Sequence, residues 1–517
     1  MFLYTKEHGD FFIKKLNAMK RHILTAALLF AATTIHAQEA LNTAANAMRY
    51  STNNLTGTAR FRAMSGAFGA VGGDVSAMGV NPAGSAIFNY NSGTASLSSY
   101  NISNDANLGG TRTKKNDNSL DLNQLGAVFV FSNSNPDATM RKFTLGFNYE
   151  NTNSFHNIVN STGITSNSVD QYFLRFANGA GEGPVPENTL INGNYDNMNF
   201  NQQQAYLGYN AYIINPNGTG GYQTNVPATG RYYKENYSSS TGYNGKVALN
   251  FATQIKDRLF LGANLNIHFT DYIQTSTLYE DPDTNTSTGL RSLQFDNELY
   301  TYGGGFSLNL GAIYKITEAL RIGAAYESPT WMRLQNEITQ RISSYCPECE
   351  AGQSNFGYDP GIAYTFDDYT IKTPSKWTGS LAYIFGKNAL LSVDYSVKDY
   401  SNTRYTGSRY SAANAELSST LDVASELRVG FEYRIKQVSL RGGYRFEQSP
   451  YKNGTTVGDL NGATGGLGFN FPGSRIDLAY SWYQRKYDSQ LLPAGYSDSA
   501  HVKSTNNNIT LSYTIDL

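Results

Sequence analysis

Few groups in this chain could act as acid, base or nucleophile. Of its six histidines, His8, His22 and His36 fall in the leader described below, which leaves His156, His268 and His501. Hydrolysis by an activated serine needs a histidine beside the nucleophile and an acid behind the histidine. No Ser/His/acid set is evident, and only His268 falls on the polar side of an alternating segment, where a lone histidine reads as a satisfied interior residue. The chain is therefore not expected to be an enzyme, nor to carry a metal or cofactor. Cys346-Pro-Glu-Cys349 is the whole cysteine complement. Neither a βαβ redox context nor a second zinc-ligand pair accompanies it, so the favoured reading is a small loop-stapling disulfide in an oxidising compartment.

Charge is the other chemical resource. Arg428, Glu432, Arg434, Arg441, Arg445 and Glu447, with Asp394 and Lys398, occupy the polar sides of apolar segments. Arginines so placed could hold an anionic head group. The favoured reading is that most satisfy one another across adjacent strands or hold an inserted segment, because buried charges need partners. Asp74 could meet one of these arginines or serve as a turn and cap residue.

What must position these groups begins with the segment from Gly66 to Gly84, which is rich in glycine and small residues and contains Asn81-Pro82-Ala83-Gly84. Glycine allows close backbone approach, and Asn-Pro adds a stiff point. The segment has too little bulky apolar surface for a core of its own, so it is expected to pack inside something else. The whole chain has 517 residues, net charge -1 and only 16% charged residues, which gives no reason to expect nucleic acid as a partner. Tyr 38, Phe 27 and Gly 49 with a mean hydropathy of -0.42 suit many strands with one polar face. Lys20-Arg21, an apolar run from Ile23 to Ile35 and Ala37-Gln38 form a secretory leader with Met19 as its expected start; no later run is apolar enough for a spanning helix.

Beyond the glycine-rich segment the period is two. Ile509, Leu511, Tyr513, Ile515 and Leu517 alternate with polar residues; Leu427, Val429, Phe431, Tyr433 and Ile435 oppose Arg428, Glu432 and Arg434. About 14 such strands are expected, near 93–104, 121–132, 141–151, 243–255, 259–279, 291–316, 320–338, 362–385, 389–405, 418–435, 438–449, 462–471, 475–487 and 505–517. From the third strand onward short connections (256–258, 317–319, 386–388, 436–437, 472–474) alternate with long ones (152–242, 280–290, 339–361, 406–417, 450–461, 488–504). Short turns at one end and long loops at the other are the plan of a transmembrane antiparallel β-barrel, closed because an open edge in lipid leaves backbone groups unpaired. The expected division is leader 1–37, hatch 38–92 inside the lumen, and barrel 93–517. The connection 152–242 is too long to be plain, and Val169 to Phe176 within it reads as helical.

Gly72-Gly73-Asp74-Val75-Ser76-Ala77-Met78-Gly79-Val80-Asn81-Pro82-Ala83-Gly84 resembles the N-terminal region of the FadL/TodX family of outer-membrane transporters for long-chain fatty acids and aromatic hydrocarbons. Thr373-Pro374-Ser375-Lys376-Trp377, Asp394-Tyr395-Ser396 and Gly443-Tyr444-Arg445-Phe446-Glu447-Gln448-Ser449-Pro450 are similar as well. The resemblance implies a plugged barrel in the bacterial outer membrane that captures a hydrophobic small molecule outside and releases it sideways into membrane lipid, passively and as a monomer. It carries over Asn81, Pro82 and Ala83 as a hatch tip facing a kinked third strand, with Gly146 the candidate kink. The long second loop and the terminal Leu517 depart from the family pattern, so no capture residues are carried over. The alternative is a structural or adhesive barrel whose loops bind a partner without transport.

Overall fold

The computed structural model describes residues 43–517 apart from 136, 182, 284–288, 493–495 and 497. The expected leader, with Met19, lies outside the described residues. Fourteen antiparallel strands form one closed sheet: β1 Ser92–Leu108, β2 Thr111–Ser132, β3 Met140–Ser154 continued by Asn157–Thr165, β4 Tyr232–Ile255, β5 Leu259–Asp281, β6 Ser292–Lys315, β7 Leu320–Glu327 continued by Trp331–Glu350, β8 in pieces from Gln353–Tyr358 to Lys376–Phe385, β9 Ala389–Asp399, β10 Val423–Ile435, β11 Val438–Glu447, β12 Val457–Phe471, β13 Ser474–Gln490 and β14 Ser499–Asp516. Pairing of β14 with β1, from Ser92 opposite Asp516 to Asn107 opposite His501, closes the ring.

The period-two pattern sorts as a barrel requires. Ile509, Leu511, Tyr513 and Ile515 point outward, each 40% exposed or more, as do Leu308, Leu310, Phe431, Tyr433, Leu478 and Tyr480. Their alternates, among them Asp394, Arg428, Glu432, Arg441, Arg445, Asp477 and Asn508, are buried inside. A layered soluble sheet would bury the apolar set instead. Left-handed residues close the short turns: Lys256, Gly386, Lys436 and Gly473 all have positive φ.

Several boundaries differ from the sequence reading, and the connection expected over 339–361 is mostly strand, β7 running on to Glu350 and β8 beginning at Gln353. Residues 105–120 form no loop, because β1 and β2 run on to a two-residue hairpin at Gly109 and Gly110, both left-handed. The second long connection shrinks to 166–231, since β3 resumes at Asn157 and β4 starts at Tyr232. There the strands carry Asn, Ser and Thr on both faces, being clear of lipid, and the apolar alternation that marks them elsewhere is absent. Where a strand was expected from 418, a helix, Ser411–Thr420, precedes β10. The helix expected over Val169 to Phe176 is present as Asp170–Ala177, and Glu187–Asn192 and Phe200–Asn210 join it in a cap. Tyr172, Phe173, Phe176, Phe200, Leu207 and Phe295 make that cap a packed aromatic cluster. Cys346 and Cys349 are joined as a disulfide next to the β7–β8 turn.

Candidate functional site

Residues 43–91 hold the lumen. A helix, Ala44–Ser51, leads into Ala59–Ala63 and two 3-10 helices, Val75–Gly79 and Pro82–Ile87. Thr58 caps the second helix and Asp74 the first 3-10 turn, and the two caps are tied together because Thr58 Oγ1 donates to Asp74 at 2.8 Å. Asp74 is thus the cap residue of the two readings, and its oxygens also accept from the amide of Ser76 at 3.0 Å.

Hydrogen bonds from this segment reach the wall all round. The amide of Ala59 donates to Ser512 on β14, Arg62 to Ser98 on β1, and the amide of Gly69 to Asp394 on β9. Asn250 on β4 donates to the carbonyl of Pro82 and Asn264 on β5 to that of Met78. Asn81 is wholly buried; its Nδ2 donates to the carbonyls of Gly69 at 2.7 Å and Ala312 at 3.1 Å, while its Oδ1 accepts from the amide of Ala83. Glycines on the wall make the seat. A Cβ at Gly262 would lie 2.4 Å from the carbonyl carbon of Pro82, one at Gly311 2.0 Å from Asn81 Oδ1, and one at Gly323 2.3 Å from the carbonyl oxygen of Gly69. Gly84 in turn closes on the hatch itself, its carbonyl accepting from Gly73.

Asn81, Pro82 and Ala83 therefore face β4, β5, β6 and β7, not β3. What reaches β3 is Met78, whose sulfur occupies the space a side chain at Gly146 would need, and Ser85, which bonds Thr144 at 3.0 Å. Gly146 pairs without interruption with Val128 and Asn250, so it is no kink; the register shifts in β3 fall at Met140/Lys142 and Asn151/Asn153. The second of these lies where the β2–β3 ladder ends. β2 pairs with β3 only from Gln124 to Ser132, and its remaining residues pair with β1 alone. Across the inside of this break runs Asn54 to Gly57: the Asn54 amide donates to the carbonyl of Thr152, its side chain to Asn153 at 2.6 Å, Thr56 to Glu150 at 2.8 Å, and Asn123 on β2 donates to the carbonyl of Gly57. Sequence reasoning missed these four residues. Gly57, at φ +108° beneath Ser76, was the one available sign.

The lumen charges pair as ladders. Glu432 accepts from Arg60 of the hatch at 2.9 Å and from Arg441 at 2.6 Å, Arg441 continues to Asp477 at 2.7 Å, and Arg475 completes the row. Exposed Arg434 flanks Glu432 at 3.4 Å. Nearer the cap, Glu426 gathers Arg428, Arg445 and Lys376, and Glu447 gathers Arg445 and Arg485. Directional bonds to every carboxylate offset the cost of removing such charges from water. His268 Nε2 lies 2.9 Å from Ser307 Oγ, a base-to-nucleophile spacing, but Ser307 is fully buried and also accepts from Asn266 at 3.0 Å. Among the described residues no hydrogen bond or ion pair orients the other imidazole nitrogen.

Two solved structures share this architecture. One is a Pseudomonas aeruginosa FadL homologue, at TM-score 0.52 and 13% identity over 90% of this chain and 99% of that one; the other is the P. putida toluene transporter TodX, at TM-score 0.50 and 14% identity over the same shares. The chain has the FadL/TodX fold. No protein-family model matches it, and no curated protein is significantly similar in sequence. With so little sequence in common, the FadL/TodX fold is specified here by the strand pattern and the seating of the hatch.

Proposed function

We propose that this barrel is a passive outer-membrane channel for hydrophobic small molecules of the long-chain fatty acid or hydrocarbon class, acting as a monomer. The observation that carries the reading is the broken ladder between β2 and β3 with Asn54 to Gly57 laid across it. Backbone pairing is obligatory elsewhere in a wall facing lipid, so a break backed by a removable segment is where a side exit costs least. Solutes would enter when the aromatic cap opens, pass the hatch and leave into the membrane between these strands, avoiding the polar interior. Asn81 to Gly84 and Asp74 would keep the hatch seated while its Asn54–Gly57 arm moves. The two FadL/TodX structures, one of a toluene transporter, support the reading at the level of fold.

The test is uptake of a labelled long-chain fatty acid and of toluene into liposomes holding the purified protein. Thr56→Cys with Glu150→Cys, in a background with Cys346 and Cys349 replaced by serine, should block uptake when oxidised and restore it when reduced. Deleting Asn81 to Gly84 should disturb uptake in either redox state. An intact protein that moves neither solute would overturn the proposal and leave the partner-binding barrel as the better account.

A further inference from the structure

An open cavity of about 860 Å³ lies on the outer wall of the barrel. Its floor is four strands wide. Directly opposed residues share a face of a sheet, and the register sets Lys114, Asp105, Lys503 and Lys486 in one row across β2, β1, β14 and β13. Arg112, Asn107, His501 and Asp488 form the row beyond it. Both rows point outward, since the row between them, Ala106, Val502 and Tyr487, faces the interior, where Ala106 and Val502 are buried beneath the cap. One side is walled by Gly454 and Thr455 of the β11–β12 loop and by Gly458 and Asp459 at the start of β12.

The carboxylates here are engaged. Asp105 pairs with Arg112, Asp488 binds His501 Nδ1 at 2.5 Å, and Asp459 accepts from the amide of Ser449 at 2.7 Å. Lys114, Lys486 and Lys503 are exposed, and Lys114 and Lys503 flank Asp105, whose ion-pair partner is Arg112; with Arg112 these four basic groups face only Asp105 and Asp488 across the two rows, so the groove keeps a positive excess. The far side of the barrel carries more acid: its outward residues above the apolar band include Glu235, Asp271, Glu298 and Glu337, and Asp296, which is paired with Arg341.

Height decides among anionic ligands. The apolar band ends at Leu120, at Ile509 and, on β13, at Trp482, which shares the outward face with Tyr480; Lys503 stands six residues beyond Ile509 and Lys486 four beyond Trp482. At roughly 3.3 Å per residue and a tilt of about 40° that is roughly 10–15 Å along the barrel axis. A phospholipid headgroup layer reaches only about 5–8 Å beyond the hydrocarbon. Phosphate at the height of the lysines must be carried on sugars.

We propose that this groove binds the phosphorylated saccharide headgroup of an outer-leaflet glycolipid. Lys114, Lys486 and Lys503 would contact its phosphates, with Gln484 and Asn107 available to its hydroxyls. The inference rests on the reading of the apolar band as lipid-facing with the long loops outside.

Native mass spectrometry of the purified barrel tests it, with three probes in mixed micelles: a rough-type lipopolysaccharide with phosphorylated core, the same glycolipid after hydrofluoric-acid dephosphorylation, and lipid A alone. The phosphorylated core form should be retained best, and K114Q/K486Q/K503Q should lower that retention by about tenfold. The matched triple variant in turns at the other end, K256Q/K387Q/K436Q, should retain it as the parent does. Equal retention of the first two probes, or an equal loss in both triple variants, would overturn the glycolipid site. Failure of the barrel to hold any lipid, the neutral lipid phosphatidylcholine included, would instead overturn the membrane reading beneath it.

Discussion

Arg60 of the hatch donates from Nε to Oε2 of Glu432 on β10 at 2.9 Å, and both side chains are less than a tenth exposed. The same carboxylate oxygen takes Arg441 Nε at 2.6 Å. The relationship is lopsided. Without Arg60, Glu432 keeps Arg441; without the carboxylate, Arg60 loses its one ion-pair partner among the described residues and is left with the weaker fields of Asp74 and Asp477 and the carbonyl of Gly73, which its Nη1 reaches. Breaking a buried pair costs about 3–5 kcal/mol when a charge is stranded. Glu432→Gln should therefore lower the thermal midpoint of the detergent-solubilised barrel and open the hatch to proteolysis far more than Arg60→Met. Equal effects would mean that the pair does not seat the hatch.

The glycine seat makes a steric prediction. A methyl group at Gly262 falls 2.4–2.6 Å from backbone atoms of Pro82 and Ala83, which cannot rotate away as a side-chain end could. Gly262→Ala should thus push the tip off the wall, whereas Gly379→Ala, with nothing within 4 Å, should be silent. Ala83 has no exposure in the parent, so a cysteine at 83 should react with a water-soluble maleimide only when Gly262→Ala is present. Labelling that ignores the glycine would show that the tip is loosely held.

Assignment of the apolar face to lipid is checked by charge. Leu511 is half exposed and central in the run from Ile509 to Ile515. Arginine on the lipid face costs about 2–4 kcal/mol at the bilayer midplane and little near the interface. Leu511→Arg should lower the stability of the folded barrel in bilayers by that order, read by urea titration, while outward Asn116→Arg, beyond the band, should be neutral. Similar costs at both positions would argue against a lipid belt at this height.

Within the lipid-facing band the fold was legible because one solvent acts on each side of every strand. Leu427 to Ile435 states its own orientation residue by residue. Outside the band that contrast vanishes: Asn104, Ser119 and Ser239 are strand residues whose neighbours give no alternation, and the strand ends there went unread. The hatch was legible as something packed, from its glycines, but not its seating. Nothing in Asn81-Pro82-Ala83 says that its partners are Gly262, Gly311 and Gly323, some 180 residues or more away, and the family resemblance pointed it at β3 instead. Asn54 to Gly57 escaped notice because half of their bonds use backbone groups, which any sequence could supply, and the side-chain partners of Asn54 and Thr56, Asn153 and Glu150, lie more than 90 residues away. The charges were readable as a paired set, since arginines and glutamates alternate at fixed offsets on adjoining strands; which ones reach the hatch was not, because Glu432 is met by Arg60 while Asp394, Lys398 and Arg445 meet backbone groups of Gly69, Ser51 and Asn53.

The cap is tied down by a buried cluster whose titration can be followed. Lys234, fully buried on β4, lies 2.7 Å from Asp498 and 3.6 Å from Glu280. Glu280 accepts from Ser168 at 2.5 Å and from the amide of Val169 at 2.8 Å, holding the start of the Asp170–Ala177 helix; Asp170, Tyr232 and Tyr496 complete the charged and titratable surroundings. Burial pushes the Glu280 carboxyl up to about 7, only partly opposed by Lys234 and the two hydrogen bonds. Burial also works against the Asp498 carboxylate, but bonds from Lys234, Thr165 and Asn167 hold it below the ordinary aspartate range. A carboxyl whose closed-state pKa exceeds its open-state value binds more protons when closed, so closure strengthens as pH falls from above 7 toward about 4.5. At 1.36 kcal/mol per unit the Glu280 contribution is on the order of 3 kcal/mol. Asp498 has the opposite sign, and its contribution is lost below its ordinary value of 3.8. Amide hydrogen exchange across residues 168–177, corrected for the intrinsic rate, should slow between pH 8 and 5, and Glu280→Gln should flatten the trend near its low-pH level. A parent protein with no slope, or a variant that keeps it, would remove Glu280 as the group that tightens the cap.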